Sequence, residues 1–195
     1  MKDTIAAHRG LASALGNAVA SYHIATFDHS QRVVHLALNL GDLVGIEGPL
    51  RSALGWAGIL HDLGKLCVSE AILRKPGSLT AQEWEEVKLH PVVGFNLLMA
   101  VSDRLEPVAA AVRGHHERWD GTGYPDGLVG EDIPVLAHII TLADVYDALT
   151  HSRPYRQRPF TPSEARVRIE SQRGYQFDPS LVPMFLQVLD REVLR

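Results

Sequence analysis

Histidine and aspartate stand in this chain at positions where helical periodicity calls for a hydrophobe, and that feature most narrows what the chain can fold into. Val33, Leu36, Leu40 and Leu43 recur at helical spacing, and His29 extends their stripe by four residues. Leu50, Leu54 and Ala57 form a second stripe, which His61 continues, with Asp62 next to it. Val108, Ala111 and Val112 lead to His115, while His116 points about 100° further round the helix. Asp144 follows Ile140 by four residues inside the apolar run Ile139-Ile140-Thr141-Leu142-Ala143. His90 precedes Pro91 at an expected helix bend. An ionised carboxylate is costly to bury unless it is paired or coordinated.

The rest of the chain is helical by the same reading. Two-residue alternation is nearly absent, and no internal repeat or low-complexity linker interrupts the pattern. Ile5, His8, Ala12, Leu15 and Val19 predict an N-terminal helix within residues 1–20. The helix through Val33 stops near Gly45, and Pro49 suits the first turn of the next, which sets Leu50, Leu54 and Ala57 on one face. Thr80 and Glu83 read as a capping box, and Pro107 opens another helix. A Gly/Pro-rich loop runs from Gly121 to Gly130, followed by helices opening at Pro134 and Pro162. Asp178 and Pro179 read as the N-cap and first residue of the last helix. The expectation is one all-α domain of about eight helices, a compact bundle with a metal site between helices, whose main body is residues 21–195.

Composition restricts the partners. The 195 residues carry a formal charge of −4, so no overall basic field draws a DNA or RNA polymer, and an anionic substrate must be held locally. One cysteine, Cys67, excludes an internal disulfide; between Leu66 and Val68 it reads as a packed small hydrophobe. No stretch approaches the ~18–20 apolar residues of a membrane span, and a cytoplasmic protein is expected.

Taken singly, each inward histidine or aspartate is better explained as a core residue with a hydrogen-bond partner. Taken together, five helices each deliver one from an apolar stripe. Imidazole and carboxylate donors without a thiolate cluster suit divalent Fe, Mn or Zn at a catalytic rather than a structural site. Seven donors exceed one tetrahedral site, so two ions roughly 3.5–4 Å apart are expected, with Asp62 as the bridge because a carboxylate offers two oxygens.

At these residues the chain resembles a known family. His61-Asp62-Leu63-Gly64-Lys65 resembles the HD motif of the metal-dependent HD phosphohydrolases. His115-His116-Glu117-Arg118-Trp119-Asp120-Gly121-Thr122-Gly123-Tyr124-Pro125 is similar to the second motif of the HD-GYP branch. The likeness also takes in His29 to Val33, Lys75 to Thr80, Ala143 to Thr150 and Arg153 to Arg156, and runs from about residue 20 to 188. It implies an all-α fold and hydrolysis of cyclic di-GMP to pGpG and, in some members, to GMP; some members take cyclic GMP-AMP.

By motif position the resemblance makes His29, His61, Asp62, His90, His115, His116 and Asp144 metal ligands. It assigns Lys65, one turn past His61, to the scissile phosphate, and Tyr124, Arg153 and Arg156 to the bases and phosphates. Arg158 reads as a solvated member of the same basic turn. Glu117 and Asp120 either orient ligand histidines or stabilise the loop. His8, His23, His35, His138 and His151 match no ligand position and read as packing or surface residues. Relatives with three metals carry Glu four residues before the first histidine ligand. Here that position is Ala25, and Asp28 points about 100° away from His29. Two ions are therefore expected, with a slow second hydrolysis step.

The expected mechanism is in-line attack by a hydroxide bridging the ions, with Lys65 stabilising the phosphate charge or protonating the departing ribose oxygen. Alternatives are a catalytically weak cyclic-dinucleotide sensor or an adaptor for diguanylate cyclase domains, a phosphodiesterase for cyclic GMP-AMP, and a general phosphohydrolase acting on mononucleotides. Relatives usually attach such a domain to a sensory module, so the chain reads either as a stand-alone domain or as part of a longer protein.

Overall fold

A computed structural model describes residues 24–151 and 158–193, with side chains from 28 to 151 and 158 to 192. The expected N-terminal helix, His8, His23, the side chain of Ala25, Arg153 and Arg156 lie outside the described residues. Nine α-helices occur among the described residues: α1 Ile24–Leu43, α2 Gly48–Leu60, α3 Glu70–Leu73, α4 Ala81–Lys88, α5 His90–Val101, α6 Glu106–Gly114, α7 Val135–Thr150, α8 Pro162–Ser171 and α9 Leu181–Val193. Three short 3-10 turns, Leu63–Cys67, Asp103–Leu105 and Gly130–Asp132, link them. No strand is formed among the described residues; Asp120–Val129 and Arg173–Phe177 pair only as isolated bridges. The all-α expectation holds.

The core is the predicted stripes brought face to face. α1 packs on α2 and α7, α6 packs on α2, α5 and α7, and α9 closes against α1, α7 and α8. Leu40, Leu54, Leu60, Leu98, Ile139, Ile140, Ile169 and Phe185 are fully buried between them. Each such side chain contributes roughly 1.5–3 kcal/mol on leaving water. Local signals set several helix starts. Thr80 accepts from the Glu83 backbone N–H, and Glu83 accepts from that of Thr80, completing the expected box; Thr161 and Glu164 repeat the device at α8.

Two of three local expectations are corrected. Leu50 is 47% exposed because residues 47–52, the first turn of α2, all face solvent before the helix meets its neighbours. Asp178 caps α9 as expected: its carboxylate accepts from the backbone N–H of Ser180 at 2.7 Å and its carbonyl accepts from the Val182 N–H at 3.3 Å, just ahead of the regular helix from Leu181. Cys67 is exposed rather than packed, since it ends a 3-10 turn whose buried residues are Leu63 and Gly64.

Gly64 is what lets that turn lie on α5. A Cβ there would stand 1.9 Å from the carbonyl oxygen of His90, against backbone that cannot move aside cheaply. The contact brings the His61–Asp62 pair against the start of α5.

Candidate metal centre

Three of the histidines are positioned by one device. His61 follows the last residue of α2, His115 follows the last residue of α6, and His90 opens α5 just after α4 ends. The last carbonyls of a helix have no helical N–H partner. Each imidazole supplies one: His61 Nδ1 donates to Gly58 O at 2.9 Å, His90 Nδ1 to Val87 O at 2.7 Å, and His115 Nδ1 to Val112 O at 2.6 Å. The acceptor assigns the proton to Nδ1, so Nε2 keeps its lone pair and points inward.

The inward atoms form two groups. His29, His61 and Asp144 offer three donor atoms within 4.8 Å of one another, and so do His90, His115 and His116. Asp62 lies between the groups, with Oδ2 3.5 Å from His61 Nε2 and Oδ1 3.5 Å from His90 Nε2. All seven predicted donors therefore converge, and His61, Asp62, His90 and His115 are almost completely removed from solvent. Asp144 keeps 17% of its side chain exposed and forms part of the open side.

Divalent cations fit this donor set. His90 Nε2 and His115 Nε2 face each other at 3.3 Å, although both rings already spend their Nδ1 proton on a carbonyl. Burial foremost lowers His90 to about 4, His116 to about 3 and His115 well below the ordinary value, so these rings are neutral at pH 7. Neither Nε2 then has a proton to share. Two buried lone pairs aimed at each other lack a donor, and a cation supplies what the protein does not.

The carboxylates create the complementary field. Burial would raise Asp62, but Lys65 and the imidazoles of His61, His90 and His29 outweigh it and hold Asp62 well below the carboxylate range. Asp144 is likewise held down against burial, by its hydrogen bond from His29 and by His61. His29 feels burial pulling down and the carboxylates Asp144 and Asp147 pulling up more strongly, to about 9. The half of the site around His29 thus attracts positive charge.

Asp147 was not singled out as a site residue from the sequence. It is 1% exposed and accepts from His29 Nδ1 at 2.6 Å, while Arg32 Nη2 donates to the same carboxylate at 3.1 Å. His151 Nδ1 lies 3.0 Å from its other oxygen. A carboxylate behind a ligating histidine sets ring orientation and tautomer. The available signal was spacing: Asp147 follows Asp144 by three residues, on the same face of an apolar helix.

The remaining candidates divide. Lys65 Nζ donates to Asp62 Oδ2 at 2.7 Å and is partly exposed, beside the donor cluster. Tyr124 stacks on His116 with ring centroids 4.8 Å apart and planes 26° apart. Burial, then Asp62 and Asp144, raises its phenol, which stays a hydrogen-bond donor. Glu117, buried to 1%, accepts from the backbone N–H groups of Asp126, Gly127 and Leu128 and so holds the loop carrying Tyr124. Asp120 pairs with Arg118 and Thr122, also within the loop. Arg158 pairs with Glu164 on the surface, as a solvated residue would. Asp28 is exposed, consistent with its expected direction away from His29. His138 packs on Trp119 and bonds Gly130 O, and His35 pairs with Glu192; neither joins the cluster.

Residues 13–181 match the model of the HD domain family. The chain belongs to that family. It is 39% identical over 177 residues to a 3'3'-cGAMP-specific phosphodiesterase of Vibrio cholerae, covering 90% of this chain and 34% of that protein. It is 40% identical over 158 residues to the cyclic di-GMP phosphodiesterase response regulator RpfG of Xanthomonas campestris, covering 80% of this chain and 42% of that protein. These relatives are consistent with the HD-GYP resemblance of the sequence. The chain spans less than half the length of either relative. Among solved structures, the HD domain of the Listeria monocytogenes phosphodiesterase PgpH superposes with a TM-score of 0.62 over 92% of this chain and 96% of that one. At 16% identity it bears on the fold alone, which is the HD domain's helical bundle.

Proposed function

We propose that this HD domain is a metal-dependent phosphodiesterase that opens cyclic di-GMP to linear pGpG and carries the second cleavage, to GMP, slowly. The observation that carries this reading is Asp62, whose two oxygens each lie 3.5 Å from an imidazole of a different donor triad. On this reading His29, His61 and Asp144 hold one divalent ion, His90, His115 and His116 hold a second, and Asp62 is shared. Fe or Mn is the proposed identity, and Ala25 in place of a further carboxylate favours two ions over three. Bound there, such ions acidify water and neutralise charge on a phosphodiester.

The chain's own side chains do the rest. Lys65 has N–H groups beyond the one given to Asp62 and donates them to a non-bridging phosphate oxygen or to the departing ribose oxygen. The neutral Tyr124 hydroxyl donates to the bound nucleotide at the edge of the site. Arg153 and Arg156 hold phosphates, as bidentate guanidinium donors do. Asp147 and the three helix-end carbonyls keep the imidazoles in register before any substrate arrives.

Cyclic GMP-AMP is the second substrate reading, supported by the Vibrio relative of that named specificity. A mere sensor is less well supported, because no donor position has lost its histidine or aspartate. Diguanylate cyclase domains are the proposed protein partners, residues 21–195 the catalytic unit, and the cytoplasm, where such messengers act, the proposed location. No described helix is long and apolar enough to cross a membrane.

The deciding experiment is metal analysis of anaerobically purified protein with chromatography of the products from cyclic di-GMP and cyclic GMP-AMP. His61→Ala combined with Asp62→Ala should abolish both ion content and turnover. Undiminished cleavage by that ion-free double variant overturns the mechanism. Arg153→Ala should raise KM with little change in kcat, and an unchanged KM removes that arginine from the site.

A further inference from the structure

An aromatic side chain beside the centre has no role in metal binding and no structural one that its burial explains. Trp84, on α4, is 46% exposed. Scattered exposed hydrophobes are ordinary on a protein surface, and Leu50 and Val167 need no explanation. Trp84 differs in its place. Its indole stands edge to face with Tyr124, with centroids 6.3 Å apart and planes at 77°, and Tyr124 stacks on His116. The row Trp84, Tyr124, His116 runs from solvent to the donor cluster. The indole N–H has no acceptor among the described residues.

Its position is tied to the metal ligands. α4 also supplies Val87, whose carbonyl fixes His90 at 2.7 Å. The other end of α4 is held by the Thr80–Glu83 capping box and by Lys75, whose ammonium donates to both Glu83 oxygens at 2.9 and 2.7 Å. The helix that orients His90 thus presents a half-exposed indole at a set distance from the cluster.

We infer that Trp84 is the stacking platform for a purine base of the substrate, with Tyr124 as the adjoining wall of the same subsite. This rests on the proposed cyclic-dinucleotide reading and deepens it. A base is a flat ring whose π-face stacks on indole, and its neighbouring phosphate must reach the cluster. Aromatic stacking tolerates either purine, so the platform serves guanine and adenine alike and adds affinity rather than base choice.

Two measurements on Mn-loaded protein test this. In steady-state hydrolysis of cyclic di-GMP, Trp84→Ala should raise KM about tenfold while kcat stays within about threefold, and Trp84→Phe should restore most of the loss. Ion content and melting temperature should match the wild type, because the side chain is only half buried. In fluorescence titration, cyclic di-GMP should quench wild-type emission by a component absent from Trp84→Phe, which also serves should the alanine variant fold poorly. Wild-type KM in both variants, or quenching unchanged in Trp84→Phe, overturns the platform and leaves the activity standing. Trp84-dependent quenching without turnover by the wild type overturns the activity and leaves the platform standing.

Discussion

At the scale of single residues, the centre depends on which nitrogen of each imidazole carries a proton. Gly58, Val87 and Val112 decide this through carbonyls for His61, His90 and His115, and Asp147 decides it for His29 through a carboxylate. Asp147→Asn keeps the shape but removes the charge that His29 and Arg32 share. Metal affinity should fall roughly 10–100-fold, measured by titration against a metal buffer. Asp62→Ala should lose both ions per chain, whereas His29→Ala should lose only the ion of its own triad; ion counting on purified variants distinguishes the two. Retention of both ions by Asp62→Ala would remove the bridge from the scheme. Asp147 was legible as a residue of an apolar helix but not as His29's partner, because a pairing across 118 residues is created only when α7 meets α1.

At the scale of elements, helix ends build the site. Helix interiors satisfy their own backbone, whereas a last turn leaves carbonyls that a side chain can use. The centre collects the ends of α2, α4 and α6 with the start of α5, and α1 and α7 cross it from the sides. Close backbone approach is the condition for that assembly. Gly64→Ala should therefore cost about 3 kcal/mol or more, since the added carbon meets the His90 carbonyl, and should lower metal content as α5 shifts. A urea midpoint equal to wild type would contradict this. Glu117→Ala leaves three loop N–H groups without their acceptor and should cost about 1–3 kcal/mol, with KM rising as Tyr124 loses its support. Glu117 shows the limit of motif reading: its position beside two histidines of the donor cluster left two roles open, and only the path of the 126–128 backbone selects the loop.

At the scale of the whole molecule, buried imidazoles link folding to pH and to ions. His90, His115 and His116 have lowered values in the fold, so the unfolded chain binds their protons first as pH falls. Chelator-treated protein should therefore lose stability from about pH 6.5 down to about 3, the window between the ordinary value and that of His116. His29, raised to about 9, contributes stability that is complete below about 6.5 and lost as pH rises toward 9, so it does not offset the acid loss. Melting temperatures across this range would check both limbs. Saturating divalent ion should add about 2.7 kcal/mol at a hundredfold excess over Kd, read as a rise in melting temperature at pH 7. By itself, the amino-acid sequence determined the all-α class, the apolar stripes and the seven donors interrupting them, because periodicity and charge within a stripe are local properties. Tertiary structure alone decided that those donors divide into two triads with Asp62 between them, that Asp147 and Glu117 work behind them, and that Leu50 and Cys67 face solvent. These depend on which helix ends and faces meet, and residues far apart in the chain become neighbours only when the bundle closes.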